Sequence, residues 1–274
     1  MPRLKEQDME TEQQTEPGIL YTRIEQNDTA WAEITLNRPD KGNALTMPML
    51  EQLASIVSGI EADQSLRAVV IRARGRFFCT GGDIEAWGAL SPQEMARDWI
   101  LPGIQVLDRI ARLPQPVIAA LSGHALGGGL ELALAADLRI AVRSAKLGVP
   151  EAAFGMISGW GGARRLAETI GVARARHMTL LALPIAAAQG LDWGLVTAVA
   201  EDAADLERQL GVWLAQLCAN RPAALSLTKG ILATMHQDLR HHHASAAAQA
   251  AGTQDCKEGV RAFIEKRKPV YRHS

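Results

Sequence analysis

The chain has 274 residues, 47% of them hydrophobic and 22% charged, with a formal net charge of −1. That composition suits one large globular domain, or one with an added helical lobe, and can fill a sizeable core. It offers no basic field for nucleic acid or anionic lipid, and two Tyr, four Phe and six Trp leave little for a base-stacking platform.

Residues 1–18, MPRLKEQDMETEQQTEPG, are polar and acidic, unlike a signal or transit peptide, and read as a disordered tail. From Ile19, ILYTRIE and AWAEITLN read as two strands around a turn at Gln26-Asn27-Asp28. The loop NRPDKGNAL feeds an amphipathic helix near 47–62, with Met49, Leu53, Ile56 and Ile60 at helical spacing. RAVVIRA is a buried strand, ended by the loop RGRFFCTGGD. Ser91-Pro92-Gln93-Glu94 is a capping box with proline at the first helical position, and opens a helix to about Leu113. PVIAALSG is the next strand.

Residues 123–131, GHALGGGLE, then place three consecutive glycines directly before the helix-forming run LELALAA. A strand before and a helix after argue against a flexible linker. The stretch reads as a strand, a tight turn and a helix N-terminus, where the backbone comes close to something and free amides attract negative charge. LRIAV follows as another strand. The first 150 residues therefore alternate strand and helix, which predicts an α/β core of mostly parallel strands.

Beyond about Glu201 the segments DLERQLGVWLAQLCA, ALSLTKGILATM, ASAAAQAA and KEGVRAFIEKR are all helical in pattern. The expected organisation is a tail over 1–18, an α/β core over 19–201 and a helical lobe over 202–274. His241-His242-His243 reads as a solvated helix surface, because adjacent helical residues do not share a face, and no metal site is expected. Cys79, Cys218 and Cys256 are far apart, form no CxxC and read as packing residues in a reducing, cytoplasmic setting. No apolar run is long enough to span a bilayer, so no membrane partner is expected.

A second loop resembles the glycine run in kind. FFCTGGD carries Gly81-Gly82 at the end of a strand, and two such loops can supply two amides to one oxygen, as an oxyanion hole does. Glu131 by itself reads as a first-turn glutamate that complements the helix dipole. Glu151 by itself reads as a loop residue, and Asp83 and Asp137 as capping or loop-bonding groups.

Taken in order, these segments closely resemble the enoyl-CoA hydratase/isomerase (crotonase) superfamily. LNRPDKGNAL at 36–45 is similar to its NRP-x3-NAL loop, and FCTGGDI at 78–84 to its FxAGxD loop. GHALGGGLELALAADLRIA resembles its central signature, and KLGVPEAAFGMISGWGGARRL its PE-containing segment. GLV at 194–196 and AFIEKRKPVY near the end also match, so the resemblance covers roughly residues 19–272. The chain departs at Ser158, where the family usually has Pro, at Ala163, where Thr is common, and at Leu147, in place of Phe. Thr80 and Gly82 replace the usual pair of alanines.

The resemblance implies a crotonase-like ββα superhelical core with a C-terminal all-helical oligomerisation lobe, assembled as a homotrimer or homohexamer. It implies an acyl-CoA thioester as substrate and no separate cofactor, since coenzyme A is part of the substrate. Carried over residue by residue, the amides of Gly82 and Gly128 grip the thioester carbonyl, Glu131 positions and activates water, and Glu151 supplies a proton. The implied reaction is hydration of a 2-enoyl-CoA. An isomerase or hydrolase on the same scaffold is the alternative, and an RNA-binding relative is a different class that the balanced charge disfavours. Thr80, Asp83 and Ile84 fall in the substrate loop. Lys41, Phe263 and Lys266, with Lys268, are candidates to meet the CoA nucleotide. Trp87 and Trp160 either border the acyl pocket or pack the core. Val212, Leu214, Leu217, Ile231 and Leu232 would form apolar faces that an oligomer covers.

Overall fold

The computed structural model describes residues 18–26, 29–233, 254, 257–258, 261–262 and 265–270. Strand β1 (Ile19–Gln26) pairs antiparallel with β2 (Thr29–Leu36), from Ile19↔Leu36 to Gln26↔Thr29. In β2 every second residue is buried, namely Ala30, Ala32, Ile34 and Leu36, as a strand with one face on the core requires. Helix α1 (Met47–Ala62) starts at Thr46, whose hydroxyl accepts from Met49 N at 3.4 Å. It buries Met49, Leu50, Leu53, Val57 and Ile60, while Ile56 is only partly buried.

Strands β3 (Leu66–Ala73) and β4 (Phe77–Cys79) lead into α2 (Ile84–Trp87). The capping box on Ser91 opens α3 (Pro92–Glu94), which continues through a π-helical stretch, Met95–Ile100, into α4 (Leu101–Arg112). The expected helix to about Leu113 is thus present, with a widened turn in its middle that holds the buried Trp99. Next come β5 (Val117–Leu121), β6 (His124–Leu126), α5 (Gly128–Leu134), β7 (Leu138–Val142) and β8 (Lys146–Gly148). A 3-10 turn at Glu151–Phe154 precedes α6 (Gly162–Ile170) and α7 (Val172–Leu181). The order closes with β9 (Ile185–Ala186), α8 (Ala187–Trp193), β10 (Ala198–Ala200), α9 (Ala203–Ala219) and α10 (Pro222–Ala233).

Two sheets result. The six-stranded sheet has the order β1-β2-β3-β5-β7-β10 and is parallel except for β1–β2. Its central strand β5 is buried at all five positions, as expected of a parallel strand covered on both faces. The four-stranded sheet, β4-β6-β8-β9, is made of strands two or three residues long, and its loops carry the candidate site.

Helix α9 packs on the large sheet through Leu206, Leu210 and Leu214. Leu214 is therefore a core residue, not part of a face awaiting another subunit. The i, i+4, i+8 stripe turns it inward, while Val212, off that stripe, is 53% exposed. Leu217 packs partly against the core, and Leu232 is exposed. Helix α10 is tied down by Lys229, whose Nζ lies 2.7 Å from Asp137 and donates to Gln115 O at 3.2 Å. Asp137 also accepts from Val117 N at 2.7 Å, which is the loop-bonding role read for it. Burial pushes the Cys79 thiol up to about 12, so Cys79 serves as packing. Among the described residues no helix is long and apolar enough to cross a membrane. The tail over 1–17, the turn residues 27–28, ASAAAQAA, the histidines at 241–243, Cys256 and Phe263 lie outside the described residues.

Candidate active site

The glycine run lies where β6 meets α5. Its three members answer to three different constraints. Gly127 has φ +53°, which side-chain-bearing residues rarely adopt; a Cβ on Gly128 would lie 2.5 Å from the Trp160 ring; one on Gly129 would lie 2.3 Å from the Cys79 carbonyl oxygen. The run serves close approach and a tight turn, not flexibility. Gly128 is the first residue of α5, so its N–H comes before the first intrahelical hydrogen bond.

Gly82 lies in the loop between β4 and α2. Leu45 N donates to Gly81 O and Asp83 N to Leu45 O, both at 2.8 Å, which pins the residues on either side of Gly82. Among the described residues neither the Gly82 nor the Gly128 amide donates a hydrogen bond. The two loops touch: a Cβ on Gly81 would lie 3.4 Å from Gly128 N. Two unspent amides therefore stand at one place, beside the positive end of α5.

Two carboxyl groups face the same cavity. Glu131, one turn into α5, is 3% exposed, and its Oε1 accepts from Trp160 N at 2.8 Å and Gly162 N at 2.7 Å. Burial pushes its pKa up, and the hydrogen bonds and the Arg165 charge act against that push. The Ser158 hydroxyl also favours the Glu131 charge, though no hydrogen bond of full geometry joins them. Glu151 stands on the 3-10 turn, with its Oε2 buried and without a partner. Burial, reinforced by the Glu131 charge, pushes Glu151 up to about 7, while its own backbone N–H pulls it down.

The cavity measures about 100 Å³. Gly82, Gly128, Glu131 and Glu151 all line it, together with Thr80, Ile84, Trp87 and Trp160. Asp83 is spent elsewhere: it caps α2 by accepting from Glu85 N at 3.1 Å and pairs with Arg38 at 3.0 Å. It holds the loop and is not on the cavity wall. Lys41 is exposed, 3.5 Å from Glu85, and Lys266 is exposed on the C-terminal segment; neither lines the cavity. Among the described residues no cluster of His, Cys, Asp and Glu could hold a metal ion.

The family model for enoyl-CoA hydratase/isomerase matches residues 26–274. The chain belongs to the enoyl-CoA hydratase/isomerase family. It is 36% identical over 245 residues to the "Probable enoyl-CoA hydratase" of Bacillus subtilis, covering 88% of this chain and 95% of that one. It is 35% identical over 242 residues to the short-chain-enoyl-CoA hydratase of Clostridium acetobutylicum, covering 86% and 92%. The crystal structure of the Bacillus anthracis enoyl-CoA hydratase superposes with a TM-score of 0.86 at 32% identity, over 94% of this chain and 100% of that one. The fold is the crotonase fold of this family.

Against the family pattern, the departures have visible consequences. Thr80 N donates to Gly42 O at 3.0 Å and its side chain packs on Gly42, so it joins the first loop to the Gly82 loop. Trp160 is 2% exposed; its indole N–H donates to Trp99 O at 3.2 Å and its ring lies 5.2 Å from that of Trp99. Trp160 thus packs the core and walls the cavity at once. Leu147 is fully buried. Trp99, Ile100, Phe154, Met156 and Ile157 also line the cavity; the last three lie inside the PE-containing segment but are not singled out by it, and Trp99 and Ile100 lie in no motif. Trp99 and Ile100 come from the π-helical stretch, and the other three from the turn after Glu151. Arg165, 6% exposed, donates to Trp160 O at 2.8 Å and pairs with Asp108, which fixes the segment that holds Glu131.

Proposed function

We propose that this chain is a 2-enoyl-CoA hydratase, which adds water across the 2,3 double bond of a short acyl-CoA thioester. The observation that carries the reading is that two differently held glutamates and two unspent backbone amides share one cavity. The thioester carbonyl oxygen accepts from the Gly82 and Gly128 amides. Attack at C3 drives negative charge onto that oxygen, where aligned amides stabilise it without rearranging.

The two carboxyl groups divide the proton work. Glu131, with Oε1 fixed by two backbone donors, serves as the base and takes a proton from water as the water oxygen bonds to C3. Glu151, raised to about 7 and lacking such donors on Oε2, carries a proton near neutrality and delivers it to C2. One water is consumed, one C–O and one C–H bond form, and the glutamates end with protonation exchanged until a proton returns. A one-carboxylate isomerase would not need both groups on one cavity.

The short acyl range is supported by the cavity volume, below the ~150 Å³ that accepts a benzene-sized ligand, and by the likeness to a relative named as a short-chain enzyme. Lys41, Lys266 and Phe263 are assigned to the CoA nucleotide, which lies outside the acyl cavity. Assembly as a homotrimer or a pair of stacked trimers would cover exposed apolar residues such as Val212 and Leu232; a monomer mass in light scattering at micromolar protein would overturn it. The reaction is tested with enoyl-CoA thioesters of graded length, followed by loss of the conjugated thioester absorbance. No loss with any short 2-enoyl-CoA removes the hydratase reading.

A further inference from the structure

The cavity wall beside the Gly82 loop carries two polar groups that the proposed hydration does not use. Trp87 and Trp99 both press on Gly82: a Cβ there would lie 3.2 Å from Trp87 Nε1 and 2.6 Å from Trp99 Cζ2. Both rings line the cavity. Of the three tryptophans around it, only Trp160 has its indole N–H occupied, by Trp99 O. The N–H groups of Trp87 and Trp99 donate to nothing among the described residues, and neither nitrogen is among the fully buried unpaired atoms, so both stay open to water or to a ligand. An acceptor on a bound molecule can take the place of water at such an N–H.

We propose that Trp87 and Trp99 read an uncharged oxygen acceptor, a hydroxyl or carbonyl, carried on the substrate's acyl group just beyond the reacting carbons. This rests on the acyl-CoA reading of the site. The geometry places Trp87 Nε1 next to the loop that grips the thioester, so an acceptor a few bonds along a short acyl group comes within its reach. An apolar acyl group of the same length would displace water from both donors without replacing its hydrogen bonds, which costs affinity. A carboxylate at that place is disfavoured, since Glu131 and Glu151 line the same cavity and, among the described residues, no cationic side chain does. The two donors thus select for oxygen without selecting for charge.

Binding of saturated thioesters, which cannot be hydrated, tests this apart from the reaction. In calorimetric titrations the protein should bind 4-hydroxybutyryl-CoA about tenfold more tightly than butyryl-CoA, the worth of one net hydrogen bond. Glutaryl-CoA should bind more weakly than 4-hydroxybutyryl-CoA. Trp87→Phe and Trp99→Phe keep an aromatic ring and lose the N–H, so each should bring the tenfold ratio towards one. Trp87 is the less buried of the two, and its variant decides if Trp99→Phe fails to fold. Equal binding of the two neutral esters by the parent protein, tightest binding of glutaryl-CoA, or an undiminished ratio in the Phe variants would overturn the proposal. Hydration of but-2-enoyl-CoA by the parent protein is scored separately. Its failure with the binding ratio intact sinks the hydratase reading alone, and a lost ratio with hydration intact sinks this one alone.

Discussion

Glu131 and Glu151 are the same residue type on one cavity, yet the regions that hold them differ at every level. Glu131 lies on α5, where all seven residues are buried, and two backbone amides, from Trp160 and Gly162, fix one of its oxygens. Glu151 lies on a four-residue 3-10 turn with no buried residue, next to an exposed Phe154, and its inner oxygen has no donor. Position on the scaffold, not residue type, therefore gives one glutamate two fixed backbone donors and leaves the other raised to about 7 with its inner oxygen unpaired.

The largest effect tests the pair directly. Glu131→Gln and Glu151→Gln keep shape while removing proton transfer, so each should lower kcat by about 10²–10⁴ on a short 2-enoyl-CoA. The double variant should cost less than the product of the singles, because both act on one water and one proton inventory. Thioester affinity, measured with a saturated acyl-CoA, should change little. Glu131→Gln remaining active while Glu151→Gln is dead would favour a one-carboxylate isomerase.

Packing around each glutamate gives the next contrast. A Cβ on Gly162 would lie 2.2 Å from Glu131 Cγ, so Gly162→Ala must displace that carboxyl, and kcat should fall by at least about tenfold with a stability loss of ~1–3 kcal/mol. On the Glu151 side, a Cβ on Gly155 meets nothing within 4 Å, but φ is +72°. Gly155→Ala should cost only about 1 kcal/mol of backbone strain in thermal unfolding, with kcat close to the parent's. Equal activity losses in the two variants would erase the distinction.

Titration sharpens it further. With Glu151 as the proposed acid, kcat/KM should fall as pH rises through about 7, and the falling limb should be missing in whatever residual activity Glu151→Gln retains. Stability follows the same proton. A carboxyl raised above its ordinary 4.5 favours the folded state fully below that value, and loses this contribution as pH rises through about 7. Glu151→Gln should therefore be more stable than the parent at about pH 8, by on the order of 1 kcal/mol, with the gap closing towards about pH 5. A gap that widens in acid would reverse the sign and refute the environment ascribed to Glu151. The smallest effect concerns the wall: Trp160→Leu should lengthen the tolerated acyl chain by a few carbons, read on the same thioester panel. An unchanged profile would leave Trp160 a core residue only.

The sequence determined five of the six strands of the large sheet, because β1, β2, β3, β5 and β7 are long enough to show a buried run or an alternation while β10 has only three residues. It determined α1 and the capped start of α3 through spacing and cap chemistry. Fixed spacing also made the two glycine loops and both glutamates legible, since each lies in a contiguous motif. Tertiary structure alone decided the rest. Strands of two or three residues have no period to read, so the small sheet that brings Gly82, Gly128 and Glu151 together had no local signature. Trp99 enters the cavity from a π-helical stretch, a turn geometry the helical pattern around it does not encode. Asp83 makes the cap that the sequence suggested, but its ion pair with Arg38 and the turn of Leu214 into the core depend on partners that the motif and the helical pattern did not reveal. The raised pKa of Glu151 arises from burial beside a second carboxyl 20 positions away in sequence, and burial is a property of the folded chain, not of any segment of it.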